Sequence, residues 1–392
     1  QVDIPTSIDD PRLARFPPEI RSQVISHVAN EAKQPDQTVP QRCAITCRAA
    51  PSFMRVGHFD LFGRRVARGG SEAPVANTQL IKLVHHALVR EFGLDSSTAV
   101  PLDDPAATQK MAITLLQEAS KRIARLTADW IRVGFCQGNF NSDNCLVAGR
   151  TMDFGPFGFI EKFQPLWNMW TGGGEHFGFL NQPEAGAKNF EVLALSLRSL
   201  LIDDAGERQA REVVENHRKL AANELNDVWR RKMGLGSWSE EASSLLSQLL
   251  ELMEDTGADY TLLWRQLSVY PTNKTLLDAA AAPQSTETNS ALLKPLDPLV
   301  FYKAMSPSQR AQWCSWVRAW CTVLQKDGTS GQESSAMMRA ASPKFVPREW
   351  MLVQAYSAAE QGDFEPTRAL YRLFKSPYDD EHGDSEKFYR KA

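Results

Sequence analysis

Residues 138–159 read GNFNSDNCLVAGRTMDFGPFGF, with two aspartates, three asparagines and four glycines set around two short apolar runs. The runs are Cys145-Leu-Val and Thr151-Met152, and Ala148-Gly149-Arg150 lies between them. That spacing predicts a small β-hairpin. A hairpin folds its ends back beside one another, so Asp143-Asn144 at one end come next to Asp153 at the other. Mg²⁺ takes oxygen ligands, usually one or two protein carboxylates with phosphate oxygens and water. A carboxylate and a carboxamide from opposite ends supply such a site and leave a second carboxylate as base or orienter. The same Asn, Asp and Gly residues also serve as turn formers that satisfy local backbone groups. Spacing alone leaves both readings open.

Working outward, the stretch is preceded by the clearest helix in the chain, over about Asp104 to Val133. Ala112, Leu115, Leu116, Ala119, Ile123, Leu126 and Trp130 recur there at spacings of three and four, while Lys110, Lys121, Arg122 and Arg125 fall on other faces. Protein kinases arrange phosphoryl transfer with a catalytic-loop Asp, an Asn ligand and the Asp of a DFG. Asp153-Phe-Gly is that tripeptide, and it follows a helix, a loop and a hairpin in that order.

Before the long helix, Cys43 to Ala49 alternates as a strand would, and 78–92 has one apolar helical face. After it, helices are expected near 186–202, 205–232, 240–255, 257–267, 307–325, 347–361 and 365–374. Residues 280–290 read as a surface loop, and the acidic run from Asp379 reads as a frayed tail. Pro18 to Val28 carries a short helical pattern. Trp313, Trp316 and Trp320 share a helical face, which either packs internally or meets a partner.

Bulk properties narrow the classes. The 392 residues carry 43% apolar and 23% charged side chains and a formal charge of −3, which gives no support for nucleic-acid binding. No apolar run approaches the roughly 18 residues needed to cross a bilayer. Six cysteines show no CxxC or metal-finger spacing and read as buried free thiols, and seven histidines form no ligand pattern.

The longer string NSDNCLVAGRTMDFGPFGFIEKF resembles the signature of the selenoprotein O/YdiU family, N-T-D-N-M-x-x-x-x-x-T-I-D-Y-G-P-F-G-F. Arg48-Ala-Ala-Pro-Ser-Phe-Met-Arg55-Val-Gly-His-Phe is similar to that family's R-V-A-P-S-x-x-R-x-G-H-F. Asn181-Gln-Pro, Ala258-Asp-Tyr-Thr-Leu-Leu-Trp-Arg, Pro343-Lys-Phe-Val-Pro-Arg-Glu, Ala358-Ala-Glu-Gln-Gly-Asp-Phe and Ser376-Pro-Tyr-Asp follow in the family's order. The resemblance runs over about residues 42–380.

What the resemblance implies is a mainly α, protein-kinase-like large lobe with a short β-hairpin at the active site. The small N-terminal lobe is expected to be largely missing, because residues 1–41 contain no glycine from which to build a phosphate cradle. The expected division is an extension or linker over 1–41, the large lobe over 42–270 and a helical extension over 271–392. The implied activity is AMP transfer from ATP to a protein Ser, Thr or Tyr hydroxyl, with ATP and Mg²⁺ as cofactors. Asp143 matches the family's catalytic aspartate, Asn144 and Asp153 its metal ligands, and Arg48 and Arg55 two arginines on the nucleotide's phosphates. Two departures stand out: Gln137-Gly138 replaces a family His-Gly, and Met169-Trp-Thr-Gly-Gly-Gly-Glu-His-Phe replaces a loop ending in a D-G-R-Y-like string. They keep open a second reading, a catalytically inactive structural or regulatory subunit. A protein substrate is the expected partner, with a larger complex or a separate small-lobe chain as a further one. Family habit points to mitochondria, with the cytoplasm as the alternative.

Overall fold

The long helix forms as its sequence dictates. In the computed structural model, which describes residues 25, 45–94, 104–152, 155–170, 172–380 and 385–391, it spans Pro105–Val133 (α3). Asp104 Oδ1 accepts from the amides of Ala106 (2.9 Å) and Ala107 (3.2 Å), and Pro105 opens the first turn. Gly134, at φ +80°, ends the helix in the left-handed conformation and turns the chain directly into a strand.

The chain divides into two units, 1–51 and 52–392. Of the first, residues 45–51 are exposed and form neither helix nor strand. The strand expected over 43–49 is therefore absent from its described part. A strand needs a ladder partner, and the two-stranded sheet among the described residues is built from other segments. Cys43 and, apart from the helical Ile25, the pattern at 18–28 lie outside the described residues.

The second unit is mainly helical. Helices Val56–Arg68 (α1) and Ala73–Phe92 (α2) precede α3, and strands Phe135–Gln137 (β1) and Phe157–Phe159 (β2) follow it. Next come Gln182–Ser196 (α4), Asp204–Lys232 (α5), Glu240–Thr256 (α6), Tyr260–Leu267 (α7), Lys274–Ala281 (α8) and Thr286–Leu293 (α9). Pro307–Asp327 (α10), Gly331–Ala341 (α11), Glu349–Glu360 (α12) and Glu365–Lys375 (α13) complete the larger elements.

Two large apolar cores flank the end of α3. One gathers Val56 and Phe59 of α1, Leu80 and Val84 of α2, and Phe190 of α4 around α3. The other packs Trp229, Trp264, Trp313, Trp316 and Trp320. β1 is pinned between them by strand alternation: Phe135 enters the first core and Cys136 the second. β1 and β2 pair antiparallel with Phe135 opposite Phe159 and Gln137 opposite Phe157.

Two expectations change here, and one open choice is decided. Residues 280–290 are mostly helical, because α8 ends near Ala281 and Ser285 starts α9 by accepting from Thr288 N at 3.1 Å. The three tryptophans turn inward: each is at most 2% exposed, so the face packs internally. Their indole N–H groups donate to Thr256 Oγ1, Leu245 O and Met233 O. The acidic tail begins anchored, since Asp380 meets Arg265 at 2.6 Å and Arg339 at 3.1 Å. No helix among the described residues is long and apolar enough to cross a membrane.

Candidate functional site

The 138–156 segment is closed at its base by the β1–β2 ladder and by Gly138 N donating to Pro156 O at 2.6 Å. Inside it, where a hairpin was expected, Cys145 and Thr151 form an antiparallel bridge among the described residues. Gly149, at φ +62°, makes its turn and donates from N to Leu146 O at 3.0 Å. A Cβ at Gly149 would also collide with Arg122 O of α3 at 2.4 Å, so the turn is pressed onto that helix.

Three asparagines fold the loop ahead of the bridge. Asn141 Oδ1 accepts from Asp143 N at 3.0 Å, and Asn141 Nδ2 donates to Asn139 Oδ1 at 3.0 Å. Asn144 Nδ2 donates to Asn139 O at 2.7 Å, which leaves Oδ1 as the carboxamide atom able to act as a ligand. Asn189 of α4 donates to Phe140 O at 2.8 Å from behind. Asp143 is exposed while Cys145, Leu146 and Val147 are buried. The loop is therefore rooted in the core and presents its carboxylate at the surface.

Arg55 is carried to the same place by backbone pairing. Arg55 and Leu146 form an antiparallel bridge, Val147 N donates to Met54 O at 3.0 Å, and Val56 N donates to Cys145 O at 2.9 Å. Arg55 caps α1, and its N donates to His58 Nδ1 at 3.1 Å. Its Nε is buried with no hydrogen-bond partner among the described residues, a donor left without an acceptor. His58 titrates below its ordinary value, through burial and then the Arg55 charge, with Asp143 pulling the other way.

The structure thus brings Asp143, Asn144 and Arg55 together. Arg48 is exposed and belongs to the unit 1–51. Asp153 lies outside the described residues. Among the described residues no three His, Cys, Asp and Glu side chains cluster as a metal would need. The donors at the loop are oxygens of one carboxylate and one carboxamide. That set fits a hard divalent cation completed by phosphate, water and a further carboxylate, and it does not fit a thiophilic metal.

Several supports were not read from sequence. Gln182, fully buried at the start of α4, accepts from Gln137 N at 3.2 Å and donates back to Gln137 O at 3.2 Å. It clamps β1 at Gln137. Asn168 donates to Gly138 O at 3.4 Å from the departing loop. The Asn-Gln-Pro string was the available signal, but its spacing to the strand, 45 residues, hides the contact. Cys136, beside this clamp, is pushed up to about 12 by burial, which disfavours its thiolate.

A family model described as "Protein adenylyltransferase SelO" matches residues 20–375. The chain is 29% identical over 347 residues to "Protein nucleotidyltransferase YdiU" of Azoarcus sp. (strain BH72), covering 86% of this chain and 58% of that protein. It is 29% identical over 354 residues to the protein of the same name from Methylobacillus flagellatus, covering 89% and 60%. Against that of Xanthomonas campestris pv. campestris (strain 8004) it is 31% identical over 341 residues, covering 86% and 58%. The chain thus spans about three fifths of the length of the curated relatives it matches. With its loop, its arginine-bearing segment and the match over residues 20–375, the chain belongs to the SelO family of protein nucleotidyltransferases.

Proposed function

We propose that this chain is the large-lobe part of an ATP- and Mg²⁺-dependent protein adenylyltransferase with a protein-kinase-like fold. In this reading 42–270 form the lobe proper and 271–392 its helical extension. The observation that supports it is the backbone pairing of Arg55 with Leu146, which joins the arginine's segment to the loop that carries Asp143 and Asn144. Family membership supplies the reaction class.

In that reaction an acceptor Ser, Thr or Tyr oxygen bonds to the α-phosphorus of ATP, the α–β anhydride bond breaks and pyrophosphate leaves. Asp143 orients the hydroxyl and takes its proton. Arg55 grips the phosphates through its paired N–H groups. Asn144 Oδ1 and Asp153 hold the cation. When bound, Mg²⁺ neutralises charge that develops on the leaving pyrophosphate. The unpaired Nε of Arg55 supports its role, since an anion would satisfy it.

The test is mass spectrometry of protein acceptors, and of the protein itself, after incubation with ATP and Mg²⁺. An AMP adduct on a hydroxyl side chain is expected, and it must vanish in Asp153→Ala. Modification that survives that substitution would remove Asp153 from the metal site. Absence of both ATP binding and modification in the full-length protein would leave the inactive-subunit reading.

A further inference from the structure

We propose that Gly57 is a positioning residue for Asp143, because its missing side chain is the slot in which the Asp143 carboxylate lies. A Cβ built on Gly57 would stand 2.1 Å from Asp143 Oδ1 and 3.2 Å from Asp143 Cγ. No residue but glycine leaves that volume free. The contact is with a side-chain end that can rotate, so a methyl group there displaces the carboxylate and leaves the backbone in place.

The surroundings make this arrangement more than a chance approach. The N-cap of α1, Arg55, makes no side-chain cap hydrogen bond, and a helix start leaves backbone N–H groups without intrahelical partners. Here the loop supplies acceptors: Val56 N donates to Cys145 O and Gly57 N to Ser142 O, each at 2.9 Å. The two carbonyls flank Asp143, so the first turn of α1 and the loop are one hydrogen-bonded unit. The carboxylate then sits at the positive end of a 13-residue helix. At the other face of α1, Gly63 lies so close to α4 that a Cβ would meet Ser196 Cα at 2.7 Å. Arg55 precedes the first turn of α1 and His58 lies in it, so one short helix start carries the arginine, the slot and the imidazole.

The inference rests on the reading of Asp143 as the group that handles the acceptor hydroxyl. Four proteins test it: wild type, Gly57→Ala, Asp143→Asn and the double variant, with Gly63→Ala as a control for damage to α1. Transfer of label from α-labelled ATP is measured together with the KM for ATP. Gly57→Ala is expected to lower kcat by at least ten-fold with the KM for ATP within two-fold. The double variant should be no slower than Asp143→Asn alone, because Gly57 acts only through that side chain. Full activity in Gly57→Ala, an additive double variant, an equal loss in Gly63→Ala, or a Gly57→Ala chain that does not fold would each overturn the role.

Absence of transfer by wild type would overturn the AMP-transfer reading and leave the placement to a second measurement. The Asp143 ¹³Cγ resonance, assigned by its loss in Asp143→Asn, should move in Gly57→Ala and stay in Gly63→Ala. An unmoved resonance in Gly57→Ala would overturn the slot.

Discussion

Asp143 carries the sharpest claim at the scale of single residues. Asp143→Asn keeps the side chain's size and removes the proton acceptor, so transfer should fall by about 10²–10⁴-fold while the melting temperature stays put. A kinetic assay beside a thermal melt checks both halves. His217 makes a different prediction. It is 1% exposed, stacks on Phe190 and bonds Ser120 Oγ at 2.9 Å. Burial first, then the Arg218 charge, lowers its titration to about 4, against weaker opposing pulls from Glu191 and Glu184. The folded imidazole therefore binds its proton less readily than the unfolded one, so stability is full above about pH 6.5 and is lost as pH falls toward 4. The penalty is about 3 kcal/mol at its limit. Between pH 7 and 5, His217→Gln should lose about 2 kcal/mol less than wild type in denaturant unfolding. Equal losses would contradict the burial argument.

At the scale of elements, α1 shows what the sequence hides. Val56-Gly-His-Phe-Asp-Leu-Phe-Gly-Arg-Arg has two glycines and an arginine cap, so neither propensity nor a capping residue announces a helix. Both glycines are there for approach, Gly57 to Asp143 and Gly63 to Ser196. Gly63→Ala should cost about 1–3 kcal/mol, since the Cβ meets backbone that cannot rotate aside. Chemical denaturation reads that cost. Helix α3, by contrast, was legible from Asp104 to Gly134 because its cap, its period and its terminating glycine all agree. Local pattern also found the turn at Gly149, yet it missed the β1–β2 ladder. Three residues per strand are too few to show alternation, and both strands are held by cores assembled from distant segments. Residues 280–290 misled through composition: Ser285 is a helix cap there, although Ser and Thr clusters usually mark loops. The candidate site was legible where motif letters are contiguous, at Asp143 and Asn144. Gln182 and Gly57 were not, because their roles arise from contacts across the fold.

Across the whole molecule, motifs without chemistry of their own hold separated segments together. Arg348 of the Pro343–Glu349 string grips Asp259 through two bonds of 2.6 and 2.9 Å and reaches Glu161 at 3.0 Å. Asp259 is fully buried and also caps α7, and Tyr302 donates to it at 3.1 Å. One ion cluster thereby ties the segment just after β2 to residues nearly two hundred positions on. Arg348→Met should cost roughly 3–5 kcal/mol, because it strands a buried carboxylate. A smaller change in the midpoint of urea unfolding would mean that water reaches Asp259. The scaffold so built exists, on this account, to hold one loop at the end of α3 beside the start of α1. The most direct measurement of that central claim is incubation of the full-length protein with Mg²⁺ and ATP labelled on either the α- or the γ-phosphate. Label reaching protein from the α-position alone, and lost in Asp143→Asn, is the predicted result; label arriving from the γ-position would contradict the account.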